Sequence, residues 1–480
     1  MPGKKNTSMG KISAFVWVVL LLLPVKIFAQ DSMNLQQCIA YTWENNIQLA
    51  RTGLDAQQRQ NVLLQSKANI LPSLNANASH NYNFGRTVDP STNQFVNQQS
   101  RNNGLSISTN LLLFNGLQML NQVRQAKWNQ EAGLHNLQKA KDDAALTVAN
   151  QYLQILLLTE RQKQLSNQLK TSQESRIRTK SRFDAGAVAN VKLLESEAQL
   201  AADELLLIDL ENQLTRAYLN LKQFMNYDIG KALKIQSVNF NGPLIEYTET
   251  ELNRVFTDRL QQLPAVQSAR SSRESALYAL KAQQGNTSPK IYANASLQSF
   301  YSSLAQSFSG ATPDGFQQIG FTADSMQVFA PRYNYSTQSV SFIEQVNNNF
   351  GQSLGFTLSI PVFNGLQNKY AIQNAKISLQ NAQLGLTEAE IQARNDVYTA
   401  FEGMRLAQRK FKAAEIRLTA QQALFQQSEL SFNAGAMSFY DFNAVRNNFS
   451  NAQSEVLQAK YEYIFQTKVF EFYMGIAVSF

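Results

Sequence analysis

Few side chains in this sequence belong to types that perform covalent chemistry, and their spacing does not bring them together. The chain has two histidines, His80 and His135, and one cysteine, Cys38. A zinc centre needs three or four nitrogen, sulfur or carboxylate ligands, and neither imidazole has a second ligand at useful spacing, so no metal site is expected. Glu195 and Glu197 stand two apart in a helical stretch. Residues so placed do not face each other and make a poor acid/base pair. No glycine-rich phosphate loop occurs, and Gly85, Gly351 and Gly355 read as strand residues. A hydrolase carried on a helical frame would lack its nucleophile and base, so the chain is expected to be no enzyme and to need no cofactor. A lone cysteine cannot close an intramolecular disulfide. Cys38 is preceded by the polar run Leu35-Gln36-Gln37, which is unlike a lipid-anchor site, so it is expected to be a small buried residue on the first helix.

With chemistry set aside, the composition points to a surface made for protein contact. The 480 residues are 44% hydrophobic and 16% charged, against a usual charged share of about 25%. Asn and Gln together outnumber all charged residues. The apolar content excludes a disordered tail, and the lack of repeated apolar runs of about 20 residues excludes a helical membrane transporter. Net charge is +8, but Lys4, Lys5, Lys11 and Lys26 account for half of it. They flank an apolar stretch from Ile12 to Leu23 that runs on to Ile27-Phe28-Ala29. That order is the order of a secretory signal peptide, expected over residues 1–29 with cleavage after Ala29. Its apolar stretch is too short to span a bilayer as a helix. The remaining excess of positive charge is too small to call for a nucleic-acid partner.

The dominant signal is an internal repeat. Phe114-Asn115-Gly116-Leu117-Gln118 returns as Phe363-Asn364-Gly365-Leu366-Gln367, and Phe183-Asp184-Ala185-Gly186-Ala187 returns as Phe432-Asn433-Ala434-Gly435-Ala436. Between these landmarks neither copy has gained or lost a residue, as expected of a continuous helix whose phase must be kept. No proline falls between Pro90 and Pro243 or after Pro361, so residues 116–183 and 365–432 are predicted to be single helices of about 100 Å. In the second, Ile372, Leu379, Leu386, Ala393, Ala400, Ala407 and Ala414 recur every seven residues, and Tyr370, Ile377, Leu384, Ile391 and Tyr398 form a second column. On a coiled-coil turn the two columns lie roughly opposite, so the helix needs a neighbour on each side. In the first, Gln130 and Gly133 interrupt the seam. Gly186 and Gly435 mark hairpin tips, where glycine's left-handed conformation closes one helix before the next begins.

Before each long helix the period drops to two. Strands are predicted near 73–84, 104–114, 290–299 and 352–362, with polar residues alternating against apolar ones. The second copy carries extra residues within 302–349, rich in Ser, Gln, Asn, Gly and Phe and expected to be a long exposed loop. Strands of about ten residues suffice for a tilted membrane crossing, but four cannot close a barrel, which takes about eight. Several chains must contribute: two would make a plugged barrel, three an open one.

These features resemble the TolC-like outer-membrane efflux protein family. Its carriers here are Asn34-Leu35-Gln36-Gln37-Cys38-Ile39-Ala40 through Asn45-Asn46, the two Phe-Asn-Gly junctions, the two Phe-x-Ala-Gly tips and Phe472-Tyr473-Met474-Gly475. The resemblance covers essentially the whole chain after residue 29. It implies a mainly α fold with β: a homotrimer whose 12-stranded outer-membrane β-barrel continues into a periplasmic α-helical coiled-coil barrel. Two structural repeats follow, 30–250 (with an equatorial segment at 228–250) and 251–480, with tips near 183–188 and 432–438. The implied function is the passive exit duct of a tripartite efflux pump or type I secretion system. Its implied partners are outer-membrane lipid, a periplasmic adaptor (membrane fusion) protein and an inner-membrane pump. The alternative is a periplasmic coiled-coil scaffold without a pore. By the same resemblance Phe183, Ala185, Gly186, Phe432, Ala434 and Gly435 are expected to contact the adaptor. Asn115, Gly116, Asn364 and Gly365 make the strand-to-helix junctions. Asp441, six positions past the second tip glycine, and Glu195 are expected at the entrance constriction; the first copy carries Lys192 in the place that matches Asp441, with Glu195 three residues on.

Overall fold

The computed structural model describes residues 32–88, 93–237 and 247–477; the expected signal peptide and part of the expected equatorial segment lie outside them. The elements of the first copy run β1 (Ser32–Met33), α1 (Leu35–Asn45), α2 (Ile47–Ala68), β2 (Ser73–Asn83), β3 (Arg86–Val88), β4 (Phe95–Asn97), β5 (Ser100–Phe114), α3 (Gln118–Asp184), α4 (Asn190–Met225) and β6 (Lys234–Ile235). The second copy follows with α5 (Glu249–Arg254), which widens into a π turn and then tightens into a 3₁₀ turn to Gln262, then α6 (Pro264–Gly285), β7 (Lys290–Ser302), β8 (Gln306–Phe321) and β9 (Gln327–Ser339). It ends with α7 (Phe342–Asn348), β10 (Gly351–Ser359), α8 (Gln367–Asn433) and α9 (Phe439–Met474). Two compact units are built from these, one of residues 55–134 and 267–388, the other of 32–54, 135–266 and 389–477.

The first unit holds the sheet. Its order is β10-β7-β5-β2, antiparallel throughout. Side chains alternate across a strand, so register decides which rows share a face. Leu74 stands opposite Thr109, Thr109 opposite Ala295 and Ala295 opposite Leu354. The next row on the other face is Asn75, Ser108, Ser296 and Ser353, tied by a 2.7 Å hydrogen bond between Ser296 and Ser353. The result is one apolar face and one amide and hydroxyl face. On the apolar face Leu74, Ile107, Leu297, Leu354 and Phe356 are exposed, and among the described residues no strand pairs with the outer edges of β2 and β10.

Two expectations need correcting here. Residues 302–349 are not an irregular loop. They contain the β8–β9 hairpin, held by antiparallel pairing from Gln306 opposite Ser339 to Phe321 opposite Gln327, and the helix α7. Register shifts at Phe308/Gly310, Pro313/Phe316 and Gln318/Gly320 break the period of two, because each bulge turns the following side chains to the other face. From α7, the Gln345 amide accepts from Ser302 N and donates to the Ser302 and Val340 carbonyls, closing the end of β7 as a strand would. Gly85, read as a strand residue, instead sits in a bend with φ +98, which glycine alone adopts without strain.

The interrupted seam of α3 also has a structural cause. A side chain at Gly133 would meet Arg59 Cδ of α2 at 2.6 Å. The missing Cβ is where the Arg59 stem lies, held by an ion pair with Asp55 at 3.1 Å.

The second unit is helical. The bounds of α3 and α4 reappear in α8 and α9 at an offset of 249, 67 and 36 residues long in each copy. At 1.5 Å per residue the longer pair extend about 100 Å. Residues 249 apart are called twins below. Twins share the core: Ala144/Ala393, Val148/Val397, Tyr152/Phe401, Ile155/Met404 and Leu158/Ala407 are all buried. From Val148 on, the first set packs with Leu35, Cys38 and Ile39 of α1 and Leu221 and Met225 of α4; from Val397 on, the second packs with Leu252, Val255, Tyr463 and Phe470. Cys38 is buried at this contact, and desolvation pushes its thiol up to about 12, leaving it protonated and inert. No helix among the described residues is long and apolar enough to cross a membrane.

Candidate functional site

The hairpin tips are built by backbone geometry rather than by side chains. At the first, Gly186 N donates to Phe183 O at 2.8 Å and Ala187 N to Arg182 O at 2.8 Å. At the second, Gly435 N donates to Phe432 O at 3.0 Å and Ala436 N to Ser431 O at 2.9 Å. This paired bonding is the Schellman close, which needs a left-handed residue; φ is +71 at Gly186 and +77 at Gly435. Nothing lies within 4 Å of where a Cβ would stand at either glycine, so conformation alone selects the residue. Ala185, Gly186, Ala434 and Gly435 are exposed, whereas Phe183 and Phe432 are half-buried.

The turns then diverge. Entering α9, Ser438 Oγ accepts from Asp441 N at 3.1 Å and donates to Asp441 Oδ2 at 2.6 Å. Asp441 is therefore an exposed first-turn carboxylate in a capped helix, where the helix dipole favours negative charge. Entering α4, Ala189 supplies no side-chain cap. Lys192, the twin of Asp441, pairs with Glu195 at 3.0 Å and lies 5.5 Å from the Phe439 ring. The structure thus occupies Glu195 with a neighbouring cation and, among the described residues, pairs Asp441 with none.

Phe432 stacks on Phe442 with centroids 4.6 Å apart, and Phe442, Phe425 and Phe449 continue the ladder at 5.8 and 5.0 Å. The Phe432 ring is thus spent on closing its own hairpin. Tyr440, next to the cap, is the strongly exposed aromatic at this tip; sequence reasoning passed over it because it lies beyond the repeated motif.

The strand-to-helix junctions use consecutive left-handed residues: Gly116 and Leu117 at φ +63, Gly365 and Leu366 at +63 and +64. Asn115 is buried, and its Oδ1 accepts from Met119 N at 3.4 Å. A Cβ at Gly116 would come within 2.6 Å of Gly285 O and Ser288, so that glycine is required by space as well as by φ.

A further feature was not anticipated. Asp203 of α4 is 2% exposed, and Arg446 of α9 reaches its Oδ2 at 3.2 Å. Ser172 Oγ bridges the two, donating to Asp203 and accepting from Arg446 Nη1 at 2.9 Å. Gln168 and Gln199 donate to Asp203 Oδ1 at 2.8 and 3.0 Å. Ser450 donates to Gln168, and Gln164 reaches Gln453 at 3.0 Å. A buried carboxylate satisfied this fully is a strong link between helices, because removing one partner strands the charge. The signal available in the sequence was the spacing: Asp203 stands in one column, seven apart, with Ser196, Leu210 and Ala217, and the structure buries all four.

A sequence profile of outer membrane efflux proteins matches residues 41–227 and 256–467. No curated protein matches the sequence significantly. Among solved structures the fold is similar to that of CusC, at 14% identity and a TM-score of 0.73 over 92% of each chain. It is similar also to the CmeC outer membrane channel of Campylobacter jejuni, at 15% identity and a TM-score of 0.72 over 92% of this chain and 85% of that one. The open-state MtrE outer membrane channel of Neisseria gonorrhoeae gives 15% identity and 0.70 over 93% and 89%. At these identities the likeness is one of fold.

Proposed function

This chain belongs to the outer membrane efflux protein family, and on that premise we propose that three copies join their four-stranded sheets into one twelve-stranded barrel. The family is one of channels, not enzymes. The protein is an outer-membrane exit duct that reaches into the periplasm.

The observation that carries the assembly is the sheet. Its apolar face is exposed in the single chain, and its two edges are open. Unpaired backbone groups are not tolerated in hydrocarbon, so a lipid-facing sheet with two free edges must find the same edges on other chains. The amide and hydroxyl face then lines a wet lumen.

The tips dock on a periplasmic adaptor, which couples the duct to an inner-membrane pump. Exposed Ala185, Gly186, Ala434 and Gly435 form small, uncharged, close-approach surfaces there, with Tyr440 as a larger anchor. Phe183 and Phe432 support these surfaces from behind. Asp441 lines the entrance: three copies around one axis bring like charges together and attract a cation. Reconstitution into a planar lipid bilayer tests the reading. Trimer-sized particles that conduct ions are expected. A protein that stays monomeric in detergent and never conducts would end it.

A further inference from the structure

The β8–β9 hairpin belongs to the part of the second copy that the first copy lacks. Strand β7 enters the sheet opposite Phe114, just before α3, and leaves it opposite Asn102, so the hairpin that follows lies at the end of the sheet away from the long helices. It does not prolong the sheet: β8 and β9 pair with each other as a separate ladder. A turn closed by Ala305 N donating to Ser302 O at 3.2 Å redirects the chain as it leaves β7. Val340 N donates to Ala305 O at 3.2 Å and brings β9 back to the same place. At about 3.3 Å per residue, the 13 residues of β9 reach about 40 Å.

The hairpin has two unlike faces, and its bulges keep them apart. Residues directly opposite each other across a ladder share a face. Phe308 stands opposite Thr337, Ala311 opposite Tyr335, Pro313 opposite Tyr333, Phe316 opposite Pro331, Gln318 opposite Phe329 and Phe321 opposite Gln327. The β9 members of these pairs are alternate residues, so all six rings lie on one side. Phe316 and Phe321 are five apart and in a regular strand would point to opposite sides. The register shift between Gln318 and Gly320 returns Phe321 to the side of Phe316. Phe308 and Tyr335 meet on that side with ring centroids 5.8 Å apart. The other side carries Ser307, Thr312, Asn334, Ser336 and Gln338, and there Arg332 pairs with Asp314 at 3.2 Å. Each of the six rings is 44% or more exposed. The remaining charge of the hairpin, Asp324, sits in its end turn.

A continuous apolar face of this kind calls for a covering surface, and three features select lipid. The face bears no charge, so it offers a polar partner no ion pair. It starts where β7 leaves the sheet, whose exposed apolar face meets lipid in the proposed barrel, and the apolar medium that adjoins that rim is the outer leaflet. Its rings are backed by neutral amides and hydroxyls, the division the sheet itself shows, and aromatic rings with a polar neighbourhood collect at the headgroup boundary.

We propose that the β8–β9 hairpin folds outward over the rim of the barrel and rests its aromatic face on the outer leaflet. This rests on the proposed barrel and adds a contact with lipid lateral to the strands that cross it. An amphipathic element in the interface gains from each ring it buries and keeps its polar side in water. So placed, the insertion braces the duct against tilting and leaves the mouth of the lumen clear.

The test attaches an environment-sensitive fluorophore to single cysteines in the full-length protein, which is then reconstituted into phosphatidylcholine vesicles. F316C and Y335C report the aromatic face, T312C the polar face and L354C the lipid-facing side of the sheet. All four positions are exposed, and buried Cys38 does not label. In vesicles brominated high on the acyl chains, the labels at Phe316 and Tyr335 are expected to lose most of their emission, and to keep it against iodide present on both sides. The label at Thr312 should do the reverse. If iodide quenches F316C and Y335C while brominated lipid quenches only L354C, the placement of the hairpin is overturned and the barrel stands. If F316C and Y335C are shielded from both quenchers while lipid quenches L354C, the face is covered by protein and the placement is again overturned. If L354C is quenched by iodide alone, both readings fall.

Discussion

Close to the tips, the two hairpins have one backbone and opposite chemistry. In the first, Arg176 pairs with Glu197 at 2.9 Å, and Asp203 is bonded by Ser172, Gln168, Gln199 and Arg446. In the second, the twins of Arg176, Leu193 and Leu200 are Phe425, Phe442 and Phe449, which stack face to face with interplanar angles of 29° and 10°. The twin of Asp203 is Ala452, also buried. Helical phase requires only that a buried position be filled. It does not require that neighbouring gaps be filled by one kind of contact. Ion pairs and hydrogen bonds are directional and fail when a helix slides, while stacked rings tolerate offset. Selection for different neighbours can therefore change the chemistry of a hairpin without changing its length.

The largest break in this comparison is expected at Arg446. Arg446→Ala leaves Asp203 charged and buried, a loss of about 3–5 kcal/mol. Glu197→Ala, at the twin position, removes a partly exposed pair and is expected to lose less than about 1 kcal/mol. Denaturant midpoints of the detergent-solubilised protein would separate them, and equal losses would refute the contrast. The mid-helix cores give the next largest effect. Tyr152 Oη donates to Gln236 O at 2.6 Å, while its twin Phe401 is packed among apolar side chains. Phe401→Tyr buries a hydroxyl without a partner and is expected to cost about 1–3 kcal/mol, against about 1 kcal/mol for Tyr152→Phe. The same midpoints check this, and a harmless Phe401→Tyr would show that the second core is wet.

Smaller effects are expected at the turns. Ser438→Ala removes a cap and should cost about 1 kcal/mol, whereas Ala189→Ser adds the cap the first hairpin lacks and should return a few tenths or more. Hydrogen exchange of the first turns of α4 and α9 would report both, and slower exchange is expected after Ala189→Ser. Least of all in stability terms, Asp441→Asn leaves the Ser438 cap in place. It is expected to weaken block of single-channel current by divalent cations, while neutralising Lys192 leaves block unchanged. Unaltered block in Asp441→Asn would remove that residue from the constriction.

Much of this fold is legible in the residues because its main signals are periodic. A seam that repeats every seven residues and landmarks that repeat every 249 survive any choice of local side chain, and both reappear in helices of equal length. The β8–β9 hairpin was not legible. Its bulges and its Gly and Pro residues break the alternation that marks a strand, so its pairing depends on bonds between residues up to 33 positions apart. The Asp203 cluster was hidden for a related reason. Its members come from three helices, and Ser172 and Arg446 are 274 residues apart, a distance over which no sequence period operates. At the candidate site, the tip glycines were marked by the repeated motif, and Asp441 only by the family resemblance. The inward packing of Phe432 and the outward projection of Tyr440 were not, because both depend on which ring the turn happens to place against Phe442.

The amino-acid order alone determined the two long helices, their hairpin tips, the duplicated plan and the two-faced character of the strands. Each follows from local conformational preference or from a hydrophobic period read along one element. Only the tertiary structure decided which strand edges stay open, which charges are buried together, and which of two identical positions is covered and which is bare. Those outcomes depend on the packing of segments distant in the chain. A twin such as Leu406 has the same residue type as Leu157 and differs from it only in what has been laid on top.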